Sequence, residues 1–187
     1  MSTTDGYDTI AYDTIAALFH QRIDSIVGAV DTMAAGLQSA ASSAMQAVME
    51  DRKLILIGCG DDAVLAQYAA SLFRTPADDT PPVPAIAVSS DTSDDPDAKI
   101  WRELRTLSRD GDVIIAIETG EHGNTIAQSL LVAQERNLVP IILSEQMAPN
   151  ATGMIFLQES NPLQRRELAL MALHTLRELI RRTWLGE

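Results

Sequence analysis

Short apolar runs alternate with amphipathic segments over most of this chain. Five of these runs have the length and composition of buried strands, and they cover residues 54–57, 83–88, 113–117, 139–143 and 154–157. The segments between and after them place apolar residues at helical spacing over residues 62–73, 98–107, 125–136 and 163–184. Strands that alternate with helices in this way are typical of a parallel sheet covered on both faces. The pattern therefore predicts an α/β fold with a doubly wound, five-stranded parallel sheet.

A long helical pattern precedes the first strand. Between about residues 14 and 50, apolar side chains recur at three- and four-residue steps, and Gly36 interrupts the series, which predicts two helices. Their apolar faces need a partner, either the sheet or another subunit. We therefore predict a single domain over residues 1–187, with a helical oligomerisation region at 1–50, an α/β core at 51–160 and a C-terminal helix at 161–187.

The composition narrows the class of protein. Of the 187 residues, 46% are apolar and 21% are charged, which indicates a globular chain. A formal net charge of −12 argues against direct binding to nucleic acid or to an anionic membrane surface, and it favours partners with a positive patch. Because the sequence shows no basic leader and no apolar run near ~18 residues, we predict a cytoplasmic protein without membrane contact. The single cysteine, Cys59, excludes an internal disulfide, and His20 and His174 are expected to pack at interfaces.

The turn after the first predicted strand is the first candidate site. Gly58-Cys59-Gly60 follows the apolar run directly, and a helical pattern begins at once after it. A buried strand that delivers a glycine-rich turn to a helix N-terminus is how open α/β sheets bind anions. Here Asp61 and Asp62 stand at the start of that helix. The sequence therefore predicts an anion-binding backbone that is lined with acid.

Two other chemistries fit the same region less well. Gly58-x-Gly60-x-x-Ala63 matches the dinucleotide fingerprint, but the acidic residue expected about 20 positions later falls in a proline-rich loop. Glu118, Glu121 and His122 follow one predicted strand, with Asp62 and Asp91 after neighbouring ones, and the first three are weak candidates for a metal site. A solvated acidic rim is the simpler interpretation, because no spacing motif supports a ligand set. We predict no cofactor and no resident metal.

Three segments, in the same order, resemble the SIS (sugar isomerase) domain. The family's G-N-G-G/T-S-A turn matches residues 58–63, its L-P-A-I-A-L strand matches 83–88, and its G-D-V-L-I-x-I-S-T-S-G-N-S segment matches 111–123. The resemblance is to the subgroup of phosphoheptose isomerases and of the bacterial replication-initiation regulator that associates with DnaA. It implies a three-layer SIS fold of the flavodoxin-like type with an N-terminal helical extension. Members of this subgroup are usually homotetramers, so we expect a dimer or a tetramer.

The same resemblance predicts where a ligand would bind. The inherited pocket comprises the residues at and around the family's phosphate-holding loops, namely Gly58, Gly60, Asp61, Asp62, Asp91, Glu118, Thr119, Gly120 and Gly123. Family members hold the sugar phosphate with hydroxyls from these loops. In this chain Asp62 replaces the first-loop serine, and only Thr119 keeps a hydroxyl in the second loop. The isomerases' Q-E-x-H pattern matches residues 166–169, which lack the histidine, and their helix glutamate matches Leu72 or Ser71.

These replacements decide the predicted function. A hydroxyl bonded to a phosphate contributes ~1.5–3 kcal/mol, whereas a carboxylate in its place costs roughly 4 kcal/mol near 4 Å at an effective dielectric constant of about 20. We therefore predict a non-catalytic or regulatory SIS-domain protein that binds a carbohydrate derivative or a protein partner. The alternative is a divergent phosphoheptose isomerase, acting on sedoheptulose 7-phosphate or another phosphosugar, with a metal ion that offsets the acid. A third, weaker hypothesis is a site for an amine or a neutral small molecule.

Overall fold

The computed structural model describes residues 4–76, 80–90, 96–120, 124–148, 150–159 and 161–187. Within these residues, the strands are β1 Leu54–Cys59, β2 Ala85–Ser90, β3 Val113–Ile117, β4 Val139–Ser144 and β5 Gly153–Phe156. The helices are α1 Thr4–Met49, α2 Asp61–Arg74, α3 Pro96–Leu107, α4 Thr125–Arg136 and α5 Pro162–Leu185. Each predicted strand and each helix after β1 is present, with ends that differ from the prediction by no more than two residues.

All five strands lie parallel in one sheet of order β2-β1-β3-β4-β5. The chain runs outward from β1 to β2, crosses back to β3, and then continues in the opposite direction to β5. The reversal leaves a crevice between the carboxyl ends of β1 and β3, which is where open α/β sheets bind their ligands. The predicted doubly wound sheet is confirmed, and its switch point lies between these two strands.

Helices cover both faces of the sheet. Leu54 and Leu56 of β1 pack on the face that α1, α2 and α5 cover, in a cluster with Leu173 of α5. Ile55 and Ile57 point to the opposite face, which α3 and α4 cover. This alternation follows from the two-residue repeat of a strand, and it accounts for a run that is apolar at every position. The three-layer architecture predicted for the chain is therefore confirmed.

The prediction of two helices before the first strand is wrong, because α1 is one continuous helix of 46 residues. Gly36 does not interrupt it. A Cβ atom at Gly36 would lie 2.0 Å from the carbonyl oxygen of Met154 in β5. The glycine therefore serves the close approach of α1 to the edge strand. Of the helices described, none is both long enough and apolar enough to cross a membrane.

A buried carboxylate joins two strands at the amino end of the sheet. Asp112, just before β3, is 1% exposed. Its Oδ1 atom accepts a hydrogen bond from the backbone N–H of Lys53 at 3.0 Å, and Oδ2 accepts one from the N–H of Arg109 at 2.7 Å. The ammonium group of Lys53 forms an ion pair with the same carboxylate. These contacts fix the start of β3 beside the start of β1, at the end of the sheet opposite the crevice.

Candidate functional site

The turn from β1 into α2 forms one wall of the crevice. Gly60 has φ 54° and ψ −124°, a conformation that side-chain-bearing residues rarely adopt. At Gly58, a Cβ atom would lie 2.2 Å from the carbonyl oxygen of Asp62. Both glycines are therefore required for geometry, since they let α2 begin directly above the end of the strand. The backbone predicted for an anion-binding turn is present.

Asp62 does not face open solvent in this crevice. The residue is 1% exposed, and its two carboxylate oxygens bond across the switch point to Thr119, which follows β3. Oδ2 accepts from the Thr119 backbone N–H at 2.9 Å, and Oδ1 accepts from the Thr119 hydroxyl at 2.5 Å. Thr119 is itself fully buried. The side chain predicted to line the crevice thus joins its two walls.

Arg166 of α5 lies against both aspartates at the start of α2. Its Nη2 atom is 3.2 Å from Oδ2 of Asp61, and its Nε atom is 3.8 Å from Oδ1 of Asp62. The two carboxylates differ in environment, because the Asp61 side chain is 73% exposed. The sequence identified Arg166 only as a residue that replaces the family's glutamine, and it did not predict this contact with α2. Its place in an ion pair with α2 depends on how α5 packs, which the sequence does not give.

Glu118 is also buried, and it points toward β4. Its Oε2 atom accepts a hydrogen bond from the Ser144 hydroxyl at 3.5 Å, and the backbone N–H of Glu118 donates to the Leu143 carbonyl at 2.9 Å. Glu145, the residue after Ser144, forms an ion pair with the buried guanidinium of Arg165. The carboxyl edge of the sheet therefore holds acids and arginines in contact with each other. Sequence reasoning did not single out Ser144 or Arg165.

Several predicted site residues remain without a structural account. Asp91, Glu121, His122 and Gly123 lie outside the described residues, whereas Gly120 is half-buried beside Thr119. Two of the three weak metal candidates are thus not placed. In the described part of the chain, no group of three or more His, Cys, Asp or Glu side chains is arranged to hold a metal ion. The assignment of these residues to a ligand pocket stays a prediction.

A second polar contact links α2 to α5 farther from the strand ends. The Tyr68 hydroxyl lies 2.8 Å from Nε2 of His174, and their rings are 5.6 Å apart between centroids. His174 is exposed and hydrogen-bonded to a phenol, an arrangement that its apolar sequence neighbours did not reveal. Farther along the same face of α5, Arg177 donates to the Leu72 and Thr75 carbonyls at the end of α2. The two helices are therefore joined by a row of polar contacts that begins at the crevice.

Comparison with known proteins identifies the relatives of this chain. Phosphoheptose isomerase of Halorhodospira halophila is 27% identical over 94% of this chain and 97% of its own length. DnaA initiator-associating protein DiaA of Serratia proteamaculans is 26% identical over 79% of this chain and 80% of its own length. The predicted resemblance to the SIS family, in the subgroup of phosphoheptose isomerases and DiaA, is confirmed. A scan against models of protein families finds none that matches.

Solved structures agree on the SIS fold. Phosphoheptose isomerase GmhA from Neisseria gonorrhoeae superposes with a TM-score of 0.78 at 21% identity, over 91% of this chain and 98% of that one. A phosphoheptose isomerase from Francisella tularensis gives a TM-score of 0.77 at 18% identity, over 91% and 97% of the two chains. The fold is therefore shared along nearly the whole length of these proteins.

Proposed function

We propose that this SIS-family protein is non-catalytic and acts by binding, either to a protein partner or to a carbohydrate derivative. The observation that carries this proposal is the Asp62 carboxylate bonded across the switch point to Thr119. In the members of the SIS family that this chain resembles, hydroxyls at these positions hold a sugar phosphate. Here the one remaining hydroxyl and its backbone N–H already serve an internal acid. A sugar phosphate would have to displace that acid, which disfavours the family's isomerase reaction.

Turnover of sedoheptulose 7-phosphate is the direct test. We expect no conversion, with or without added Mg²⁺ or Zn²⁺, because the groups that hold the phosphate are engaged. A phosphoheptose isomerase such as the Halorhodospira halophila relative is the positive control in the same assay. Conversion that follows the amount of purified protein and disappears with the heat-treated protein would contradict the proposal.

An apolar stripe on α1 supports self-association. Seven large apolar side chains between residues 12 and 30 of this helix are each more than half exposed, namely Tyr12, Ile15, Leu18, Phe19, Ile23, Val27 and Val30. They continue into an apolar groove of about 500 Å³ between α1 and α5, which Met33, Leu37 and Met171 help to line. Burying apolar surface stabilises association by about 25 cal/mol per Å² before the costs of association. We therefore propose a dimer or tetramer built on residues 1–50 and α5.

Light scattering after size exclusion tests the assembly. We expect the mass of a dimer or tetramer for the wild-type protein, and a lower mass for the double variant Phe19→Glu with Val27→Glu. Leu131→Glu is the matched control, because Leu131 is a 54% exposed leucine on α4, away from the stripe. A monomeric wild-type protein, or a double variant with unchanged mass, would contradict this proposal.

The relationship to DiaA supports a protein partner in addition to self-association. That relative is named for its association with the DnaA initiator, and it matches 79% of this chain. The net charge of −12 favours a partner surface that is positively charged. We therefore propose a protein partner that presents a positively charged surface.

One contact favours the alternative, a divergent phosphosugar isomerase. Tyr68 lies six residues after Asp62 on α2, about 9 Å along the helix axis. If a sugar phosphate bound with its phosphate at the crevice and its carbon chain along α2, that chain would approach the Tyr68–His174 pair. Aldose–ketose isomerisation needs a base beside the carbon that loses its proton, and histidine is the side chain best suited to this role near neutral pH. If turnover is observed, His174→Gln is expected to abolish it.

A further inference from the structure

We propose that Asp62 is a specificity-determining residue that excludes anions from the crevice by occupying its hydrogen-bond donors, and not by its charge alone. This inference deepens the proposed function and rests on it. Its consequence is a restriction on the ligand class, because the Thr119 donors are not available to an anion while Asp62 stays in place. A phosphate or a carboxylate can enter only by displacing the Asp62 side chain.

The contacts of Asp62 are those an anionic ligand would make. A bound phosphate oxygen at this switch point would accept from the backbone N–H and the hydroxyl of Thr119, and would face the guanidinium of Arg166. The Asp62 carboxylate accepts both hydrogen bonds from Thr119, at 2.9 Å and 2.5 Å, and lies 3.8 Å from Nε of Arg166, which is an ion-pair contact and not a hydrogen bond. A backbone N–H provides one donor, so each bond to Asp62 is withdrawn from an outside anion.

Tethering makes this occupant hard to displace. Asp62 is attached to α2 and lies beside its acceptor loop in every molecule, whereas a free anion must reach the crevice from solution. The side chain is 1% exposed, so an incoming anion also finds almost no surface of the carboxylate from which to compete. Displacement would move the carboxylate out of its buried site, and the incoming anion would meet it at short range.

A comparison of Asp61 with Asp62 distinguishes exclusion by occupancy of the donors from exclusion by charge. It carries the same formal charge one residue earlier, and it also contacts Arg166, at 3.2 Å. Its side chain is 73% exposed, and the bonds to Thr119 are made by Asp62. If repulsion alone excluded anions, removing either carboxylate would raise anion affinity. If occupancy excludes them, only the removal of Asp62 opens the donors of Thr119.

The test compares the binding of inorganic phosphate to the wild-type protein and to Asp62→Ser, Asp62→Asn and Asp61→Ser. Serine is too short to reach the position of the carboxylate oxygens. Asparagine keeps the shape: its carbonyl oxygen accepts from the Thr119 N–H, and its amide donates to the Thr119 hydroxyl, which can turn to accept. Binding is followed by the amide resonance of Thr119 in two-dimensional NMR, and by calorimetry.

Occupancy predicts a gain in phosphate affinity of about 100-fold or more for Asp62→Ser. For Asp62→Asn and for Asp61→Ser it predicts less than about tenfold. Equal gains for Asp62→Ser and Asp62→Asn would show that charge acts alone, and would overturn the proposal. Phosphate that shifts the Thr119 amide of the wild-type protein at millimolar concentration would also overturn it.

Asp62→Ala is a second variant for the case in which Asp62→Ser does not fold. Asp62→Ala removes the same oxygens, and the spectrum of each variant away from the crevice reports whether it is folded. If neither variant folds, the wild-type, Asp62→Asn and Asp61→Ser titrations still decide, because a shift of the Thr119 amide at millimolar phosphate in any of them contradicts occupancy. The outcome is separate from the turnover test. Sugar-phosphate turnover by the wild-type protein would remove the proposed function, whereas the ranking of the variants reports on Asp62.

Discussion

Two buried carboxylates hold opposite ends of the same pair of strands. Asp112 joins β1 to β3 at their amino ends, and Asp62 joins the segments that follow them at their carboxyl ends. Each is 1% exposed, and each is near a cationic side chain. Their hydrogen-bond donors differ. Asp112 accepts from two backbone N–H groups and an ammonium, whereas Asp62 accepts from one backbone N–H and one hydroxyl.

The difference determines how far each position can vary. Backbone N–H and ammonium groups only donate, so every oxygen of Asp112 must remain an acceptor. A hydroxyl can donate or accept, so the Thr119 side of the crevice can adapt to an amide. The amino end of the sheet therefore specifies a carboxylate. The carboxyl end specifies only a polar group of that shape.

The largest expected effect is that of Asp112→Asn. The amide nitrogen of the asparagine would face the backbone N–H of Lys53 or of Arg109, so that two donors would point at each other. The Lys53 ammonium would also lose its anionic partner. We expect the free energy of unfolding to fall by about 3 kcal/mol, as for a buried charged group that loses its partner. Urea denaturation at neutral pH measures this. A loss below about 1 kcal/mol would show that the contacts at this end are not those described.

Asp62→Asn is expected to cost less, about 1 kcal/mol. The amide keeps both bonds to Thr119, and Arg166 keeps Asp61 as its partner, so only the distant attraction between Arg166 and Asp62 is lost. The same urea experiment, run beside Asp112→Asn, gives the comparison directly. If the two substitutions destabilise the protein equally, the hydroxyl of Thr119 does not adapt as proposed, and the two ends of the sheet are equivalent.

The smallest expected effect concerns an accessible carboxylate on α5. Hydrogen bonds from Arg181 and then Arg182 lower the pKa of Glu178 from 4.5 to about 2. Because the pKa is lower in the folded state, the stabilisation is present above about pH 4.5 and is lost as the pH falls toward about 2. At neutral pH, Glu178→Gln should lower stability slightly, and the difference from wild type should vanish at the acid end of this range. A difference that persists there would assign the effect to packing.

Much of the fold could be predicted from the sequence because its signals are local and repeated. Apolar runs such as residues 113–117 are buried at every position in β3, and turn glycines mark where such strands meet helices. The N-terminal region was the exception. Gly36 predicts a break in the helix when the chain is considered alone. The structure shows instead that a side chain at this position would clash with the backbone of Met154, which is distant in sequence. Local propensity gave way there to a tertiary contact.

At the site, the sequence determines which residues are present, and the tertiary structure determines which of them are in contact. The sequence by itself determined that acid replaces hydroxyl at Asp62 and that a glycine turn precedes it. Only the tertiary structure decided that this acid is buried, that it bonds to Thr119, and that Arg166 lies beside it. The physical reason is that a charge is a property of the residue, whereas its effect on a ligand depends on which donors lie within about 3 Å. Those donors are the backbone N–H and the hydroxyl of Thr119, which follows β3, and the pairing of β3 with β1 places them beside Asp62.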